Sequence, residues 1–435
     1  MDVSYIRDLF PITNVILPKT KNAESRPLIF LDHGASTHAP SPVIETYLDV
    51  LENHYANVHR GEHTLSRIST EMYEHASDKV AKFAGINNLL GSGMEVFMTT
   101  NTTSSLDLAS HIFANVEGDY VSTALEHHSN DLPHRNRGKT HHVRVDERGI
   151  LDLDHLQNIL DNNKVKLVAV SAGSNVSGYV PHIHKIARMA HDSGAKILVD
   201  GAQRMAHMSI DMKPIDHPEH IDFLAGGGHK MYAPMGSSFL IGNTSDGDAA
   251  PPYIPGGGTV KFVTENEAIY LNGPERHCFG TPNIAGAIAL GRATEFLMDI
   301  GMDQVRTHEL ELLEHTLKRM SEIEGVKILG DIPLDRKIGV ISFTVDGIHH
   351  SHVSSELDRI GGVATRNGCF CAHPYLLHLL KVNSKEIEEI RGEIISGKMQ
   401  PETKFGAVRA TIGIYNTLEE MDTFVDTLAR IVKTG

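Results

Sequence analysis

Cysteine is scarce in this chain: three residues, Cys278, Cys369 and Cys371, among 435. That number supplies no disulfide framework at this length and is compatible with a reducing compartment, so a cytoplasmic location is expected. Long apolar runs are missing too. No window approaches the roughly 18 uninterrupted apolar residues of a membrane span, and residues 1–5 lack the basic-then-apolar order of a secretory signal. Neither a membrane nor an export route is expected. Positive charge is in deficit, Lys+Arg 40 against Asp+Glu 55, for a formal net charge of -15. Nucleic acid and anionic membrane surfaces are disfavoured as partners on that balance. Nucleotide fingerprints are absent as well: Gly226-Gly227-Gly228 and Gly256-Gly257-Gly258 have neither P-loop nor dinucleotide spacing.

What remains is an ordinary globular composition, 40% apolar and 22% charged, in a chain long enough for two or three domains. Residues 1–27 read as an arm packed on the body or on a partner subunit. From about residue 70, short apolar runs at 96–98, 120–122, 165–170, 196–199 and 221–225 alternate with helical stretches. That alternation predicts an α/β fold with a mostly parallel sheet covered on both faces. The polar residues fall at the carboxyl ends of the runs, where open α/β sheets hold their ligands. A long helical stretch over 284–321, with breaks expected at Gly291 and Gly301, leads to a smaller α+β region. The division expected is an arm over 1–27, a large domain over 28–295 and a small domain over 296–435. Residues 374–405 read as a helical excursion with a polar turn around Pro401.

Two strand ends carry the chemistry. Asp200 follows 196–199, and Lys230 follows 221–225 through Gly226-Gly227-Gly228-His229. A buried carboxylate can keep a pyridine nitrogen protonated, and a lysine amine can form a Schiff base with an aldehyde. The pair therefore points to pyridoxal 5'-phosphate, with Gln203 placed to donate to the ring oxygen. Taken singly, each residue has an ordinary alternative, a sheet-end aspartate or a solvent-facing lysine. Residues 101–105, Asn-Thr-Thr-Ser-Ser, offer hydroxyls and free N–H groups at a helix start, which suits a phosphate and equally a plain N-cap. His127 could stack on a planar ring or move protons. No metal site is expected: His127/His128 lack a third ligand, and His59/His63 lack the glutamate of the zinc-binding helix signature. Cys369-Phe370-Cys371 reads either as carrying a nucleophile near the cationic Arg366 or as a structural thiol.

Asn57-Val58-His59-Arg60-Gly61-Glu62-His63-Thr64, Glu126-His127-His128-Ser129-Asn130, Ser174-Asn175-Val176-Ser177-Gly178, Asp200-Gly201-Ala202-Gln203, Gly228-His229-Lys230, Gly280-Thr281-Pro282-Asn283 and Val408-Arg409-Ala410 occur in that order. Together they resemble the class V, fold-type I pyridoxal-phosphate enzymes, and within them the group II cysteine desulfurases and selenocysteine lyases. The resemblance runs from about Leu28 to the carboxyl terminus. It implies a large domain with a seven-stranded, mostly parallel sheet and a small α+β domain bearing the Cys371 loop. It makes Lys230 the Schiff-base lysine, Asp200 the ring-nitrogen partner, Gln203 the ring-oxygen donor and His127 the stacked residue. Thr102, Thr103 and His229 would hold the phosphate, and Thr281 would reach the phosphate of a partner subunit in a homodimer with composite active sites. Asn175, Arg366, His59 and Arg60 would meet the substrate. Cys371, not Cys369, aligns with the nucleophile that takes sulfur from L-cysteine, leaves L-alanine and passes a persulfide to an acceptor protein or small thiol. The alternatives are selenocysteine lyase, C–S β-lyase, aminotransferase or epimerase chemistry. A non-catalytic scaffold is disfavoured by the intact Lys230, Asp200 and Cys371. The chain departs from the family in three places: Gly227 replaces a hydroxyl residue, Cys369-Phe370 replace histidines, and 374–405 is longer than in compact bacterial relatives.

Overall fold

The computed structural model describes residues 1–20, 23–397 and 405–434; the expected turn around Pro401 lies outside them. Seven strands form the main sheet: β1 Met94–Thr99, β2 Asp119–Thr123, β3 Thr140–Val143, β4 Val165–Ser171, β5 Lys196–Asp200, β6 Phe223–Gly227 and β7 Ser238–Asn243. Their spatial order is β1-β7-β6-β5-β4-β2-β3. Strand β7 runs antiparallel to both neighbours, while the remaining pairs are parallel. The mostly parallel α/β sheet expected from the alternating runs is thus present. Two strands were not anticipated. Strand β3, Thr-His-His-Val, carries little apolar signal, and β7 follows a turn dominated by Lys230.

Alternation of side chains across the pleat assigns each strand to two cores. Val168 and Val170 of β4 face one, with Ile197, Val199 and Leu224. Leu167 and Ala169 face the other, with Leu198, Phe223 and Ala225. Helices α1 Thr64–Phe83, α2 Thr102–Ile112, α3 Ile183–Asp192 and α4 Ile284–Ile300 belong to this body. Helix α4 runs unbroken through Gly291, contrary to the expected break. A Cβ there would stand 2.9 Å from Ala76 Cα in α1, so the glycine serves close helix packing. The break comes at Gly301, whose φ of 89° a side chain would strain.

Beyond Gly301, α5 Met302–Met320, α6 His350–Gly361 and α7 Leu418–Thr434 pack on a four-stranded antiparallel sheet. Its strands are β8 Val326–Ile328, β9 Val340–Val345, β10 Arg366–Gly368 and β11 Ala407–Thr411, in the order β8-β9-β11-β10. Ile29 and Leu31 join this core as well, and Ile29–Phe30 pairs in parallel with Val363–Ala364. The chain thus threads through the small α+β layer before building the large one. The amino-terminal arm packs on the body: Phe10 is fully buried, with its ring 5.6 Å from that of Tyr232 and 4.6 Å from that of Tyr415. Within 374–405, the described part is helical at His373–Leu379 and Ser384–Ile395.

Candidate active site

Five strands discharge into one cleft. After β1, the side chain of Asn101 accepts the Ser104 N–H at 2.9 Å, and Ser104 Oγ accepts the Asn101 N–H at 3.2 Å. This reciprocal cap starts α2 and aims its first-turn N–H groups, with their positive partial charge, at the cleft. Thr102 Oγ1 is buried there with no hydrogen-bond partner among the described residues. Thr103 Oγ1 shares a 2.7 Å hydrogen bond with Ser129 Oγ. After β2 comes His127, after β4 Asn175, after β5 Asp200 and Gln203, and after β6 His229 and Lys230. The small layer contributes Arg366 and Cys371, and ten of the sequence-predicted site residues, from Thr102 to Cys371, line one cavity of about 360 Å³.

Three residues of the sequence-predicted set stand apart. His59, Arg60 and Thr281 line a second cavity of about 570 Å³ with Tyr73 and Gly257, away from Lys230 within one chain. All three are exposed.

Low-dielectric surroundings set the charges in the cleft. Burial pulls the Lys230 ammonium down to about 8, with Asp200 opposing that shift and Arg409 adding to it. Its Nζ lies 3.5 Å from Gln203 Oε1. Burial also raises the Asp200 carboxyl above its usual range, against the Ala202 N–H that it accepts at 3.0 Å and the charge of Lys230. His127 is pushed down to about 3 by burial and then by Lys230, so it stays neutral. A buried carboxylate, an amine poised near neutrality and a flat neutral ring now share one pocket.

The two neighbouring thiols differ in their surroundings. Cys369 is buried and its Sγ donates to the Phe405 carbonyl at 3.4 Å. Cys371 is exposed and faces the cavity. Phe370 and Cys371 both take left-handed backbone angles, φ 54° and 53°, a conformation costing about 1 kcal/mol or more per residue. The large layer holds them there. Asn175 Nδ2 donates to the Phe370 carbonyl at 2.6 Å, and the His128 N–H donates to the Cys371 carbonyl at 2.7 Å.

Sequence reasoning gave three residues of the site no role. Arg409 lies inside a quoted motif, is buried, and leaves its Nε without a hydrogen-bond partner among the described residues while its guanidinium sits 5.0 Å from the Phe370 ring. Asp32, from the first small-residue turn, meets Arg366 Nη2 at 2.8 Å and Arg409 Nη2 at 3.5 Å. Glu126 is buried and pushed up to about 7 by burial, although Ser171, Thr123 and Asn130 all donate to it. Their signals, an acid and a base distant in sequence and an acid beside a histidine, emerge only once the chain has folded.

The cleft also fits a phosphorylated ring. The orphaned Thr102 hydroxyl and the first turn of α2 await an anion. Gly227 clears its seat, since a Cβ there would stand 2.4 Å from Thr102 Oγ1. The aminotransferase class-V family profile matches residues 29–424. The chain belongs to the class-V aminotransferase family. This class-V enzyme is 33% identical to a cysteine desulfurase of Haloferax volcanii over 98% of its own length and 96% of that protein. It superposes on the apo structure of a cysteine desulfurase from Thermococcus onnurineus with a TM-score of 0.84, at 31% identity and covering 99% and 98% of the two chains. An Escherichia coli cysteine desulfurase structure aligns with a TM-score of 0.80 at 25% identity, covering 100% and 99%. Among the described residues no helix is long and apolar enough to cross a membrane.

The Asp32 bridge between two guanidiniums yields a test. Asp32→Asn should cost about 3 kcal/mol of stability, because it strands the buried Arg409 charge. Arg366→Gln, which removes the exposed partner, should cost less than about 1 kcal/mol. Thermal unfolding of the two variants measures the difference, and equal losses would contradict the assignment.

Proposed function

We propose that this class-V enzyme is a cysteine desulfurase that converts L-cysteine to L-alanine and leaves a persulfide on Cys371. The observation that carries the reading is the exposed Cys371 thiol lining the same cavity as Lys230 and Asp200. Relatives and structural neighbours described as cysteine desulfurases support it.

Pyridoxal 5'-phosphate, when bound, supplies an electron sink for the carbanion left at the substrate α-carbon. Asp200 would keep the ring nitrogen protonated, Gln203 would face the ring oxygen and neutral His127 would lie against the ring. Thr102, Thr103 and His229 would hold the phosphate. The Lys230 amine, its pKa pulled down to about 8 by burial, would take the α-proton in its neutral form and later return it. Arg366 would hold the substrate carboxylate, joined by Arg409, whose Nε has no partner among the described residues. Asn175 would meet the substrate, and through its 2.6 Å hydrogen bond to the Phe370 carbonyl it would also seat the loop that presents Cys371. The Cys371 sulfur then attacks the substrate sulfur. An S–S bond forms and the substrate C–S bond breaks. The carbon fragment keeps that electron pair, gains a proton and leaves as alanine. An acceptor protein or small thiol would collect the sulfur.

A homodimer with composite sites accounts for the residues left outside the cavity. Thr281 is exposed, and neighbouring Gly280 donates to the Gly257 carbonyl at 2.7 Å, at the base of the hairpin Val260–Val263/Ala268–Tyr270. That hairpin exposes Phe262, Val263 and Ile269, apolar surface that a second copy would cover. His59, Arg60 and Thr281 would then complete the partner's site.

Two outcomes are expected. In cofactor-free protein the neutral Lys230 amine, the form that adds to an aldehyde, increases as pH rises through about 8. The rate of pyridoxal-phosphate uptake, followed by absorbance, should climb about tenfold per pH unit below that point and then level off. A rate still climbing steeply towards the ordinary lysine value of 10.5 would contradict the burial of Lys230. With L-cysteine as substrate, Cys371→Ser should lose alanine formation while keeping the cofactor band, and Cys369→Ser should retain both. Undiminished sulfur release from Cys371→Ser, with pyruvate as product, would identify a β-lyase instead.

A further inference from the structure

At the opposite end of the strands from the cleft, where β5 and β6 begin, two histidines converge on one carboxylate. His191 ends α3, His220 lies in the loop before β6, and Asp222 immediately precedes that strand. His191 Nε2 stands 2.8 Å from Asp222 Oδ2, and His220 Nε2 stands 3.2 Å from Oδ1. The Asp222 side chain is fully buried, while those of His191 and His220 are 18% and 12% exposed, so the cluster opens to solvent on the histidine side.

The outer ring nitrogens decide the chemistry. His191 Nδ1 lies 3.0 Å from the Pro218 carbonyl, and His220 Nδ1 lies 2.7 Å from the His217 carbonyl. A carbonyl only accepts, so both Nδ1 atoms carry the proton. Each neutral imidazole then turns an Nε2 lone pair towards the carboxylate. Lone pairs facing a carboxylate at these distances repel unless positive charge lies between them. Lys196 and a proton on His191, which Asp222 favours, supply part of it, and protonating both rings would stack two imidazoliums at 4.2 Å between centroids. One divalent ion supplies the same charge without that stack. A backbone carbonyl fixing the far nitrogen is also the usual support of a metal-ligating histidine.

We propose that His191, His220 and Asp222 bind one Zn²⁺ or a similar borderline transition-metal ion. The two nitrogens and one carboxylate oxygen leave the fourth position to water, and the site lies remote from the Lys230 cavity. The three ligand atoms already lie within 4.8 Å of one another. Tetrahedral bonds of about 2.0–2.1 Å bring ligand atoms to about 3.3 Å separation, which side-chain rotation can reach. Lys196 Nζ occupies Asp222 Oδ1 at 2.8 Å and must yield. It has somewhere to go: Asp246 Oδ2, buried and without a hydrogen bond among the described residues, lies 3.5 Å from the same ammonium. The Ile197 N–H donates to Asp222 Oδ2 at 2.9 Å and keeps the carboxylate in place. Neither histidine spacing nor sequence motif announces this group, because its members come from a helix end and a loop.

The test uses the full chain with its cofactor bound, stripped of adventitious metal with a chelator and titrated with Zn²⁺ by calorimetry at pH 8. One ion per chain should bind and raise the unfolding temperature. His191→Asn and His220→Asn should each weaken binding by more than the roughly 10–100-fold that loss of a supporting hydrogen bond costs. Co²⁺ in place of zinc should give visible bands without a thiolate charge-transfer feature. Lys196→Met, which removes the competing ammonium, should tighten Zn²⁺ binding about tenfold, and it keeps the proposal testable if a histidine variant misfolds. No stoichiometric binding, binding untouched by either histidine variant, a thiolate band, or unchanged affinity in Lys196→Met would each overturn the assignment.

Discussion

The catalytic layout depends on two hydrogen bonds that cross from the large layer to the small one. Asn175 and the His128 N–H hold the carbonyls of Phe370 and Cys371, and so hold two consecutive residues in left-handed backbone conformations. Without those donors the loop would relax towards commoner angles and swing the Cys371 thiol away from the cavity. The thiol is therefore positioned by strain, which the neighbouring large-layer residues maintain. This couples the chemistry of the small layer to the carboxyl end of β4, from which Asn175 projects.

The same crossing explains the electrostatics. Arg409, on the central β11 of the small sheet, enters a pocket built by the large one and adds positive charge beside Lys230. Burial and Arg409 together favour the neutral amine, with Asp200 opposing them, so Lys230 is held near neutrality. Asp32 offsets the Arg409 and Arg366 charges, and it can do so because the segment just before it runs through the small layer, where Ile29 pairs beside Val363. The amino-terminal segment is thus part of the site through its carboxylate as well as through its packing.

How much of this could be read beforehand depended on whether a signal was local. The strands ending at Asp200 and before Lys230 were legible, because short apolar runs closed by polar residues mark buried parallel strands. The Asn101 cap was legible for the same reason. Strand β7 was not, since its apolar stretch follows a turn that the lysine motif dominates, and Gly291 misled because a glycine at a helix crossing resembles one at a helix end. Choosing between Cys369 and Cys371 required the family resemblance. The structure supplies a physical reason for that choice in the Phe405 carbonyl that engages the buried thiol. Asp32 and Arg409 lie 377 positions apart, and nothing short of the fold could pair them.

The central claim is that sulfur leaves the substrate onto Cys371 while Cys369 stays out of the reaction. Mass spectrometry of peptides from the cofactor-loaded enzyme, quenched with an alkylating reagent after brief exposure to L-cysteine, tests it most directly. The account predicts one added sulfur on the Cys371 side chain, placed by fragmentation, and an unmodified Cys369. Added sulfur on Cys369, or none on either thiol while alanine accumulates, would contradict it.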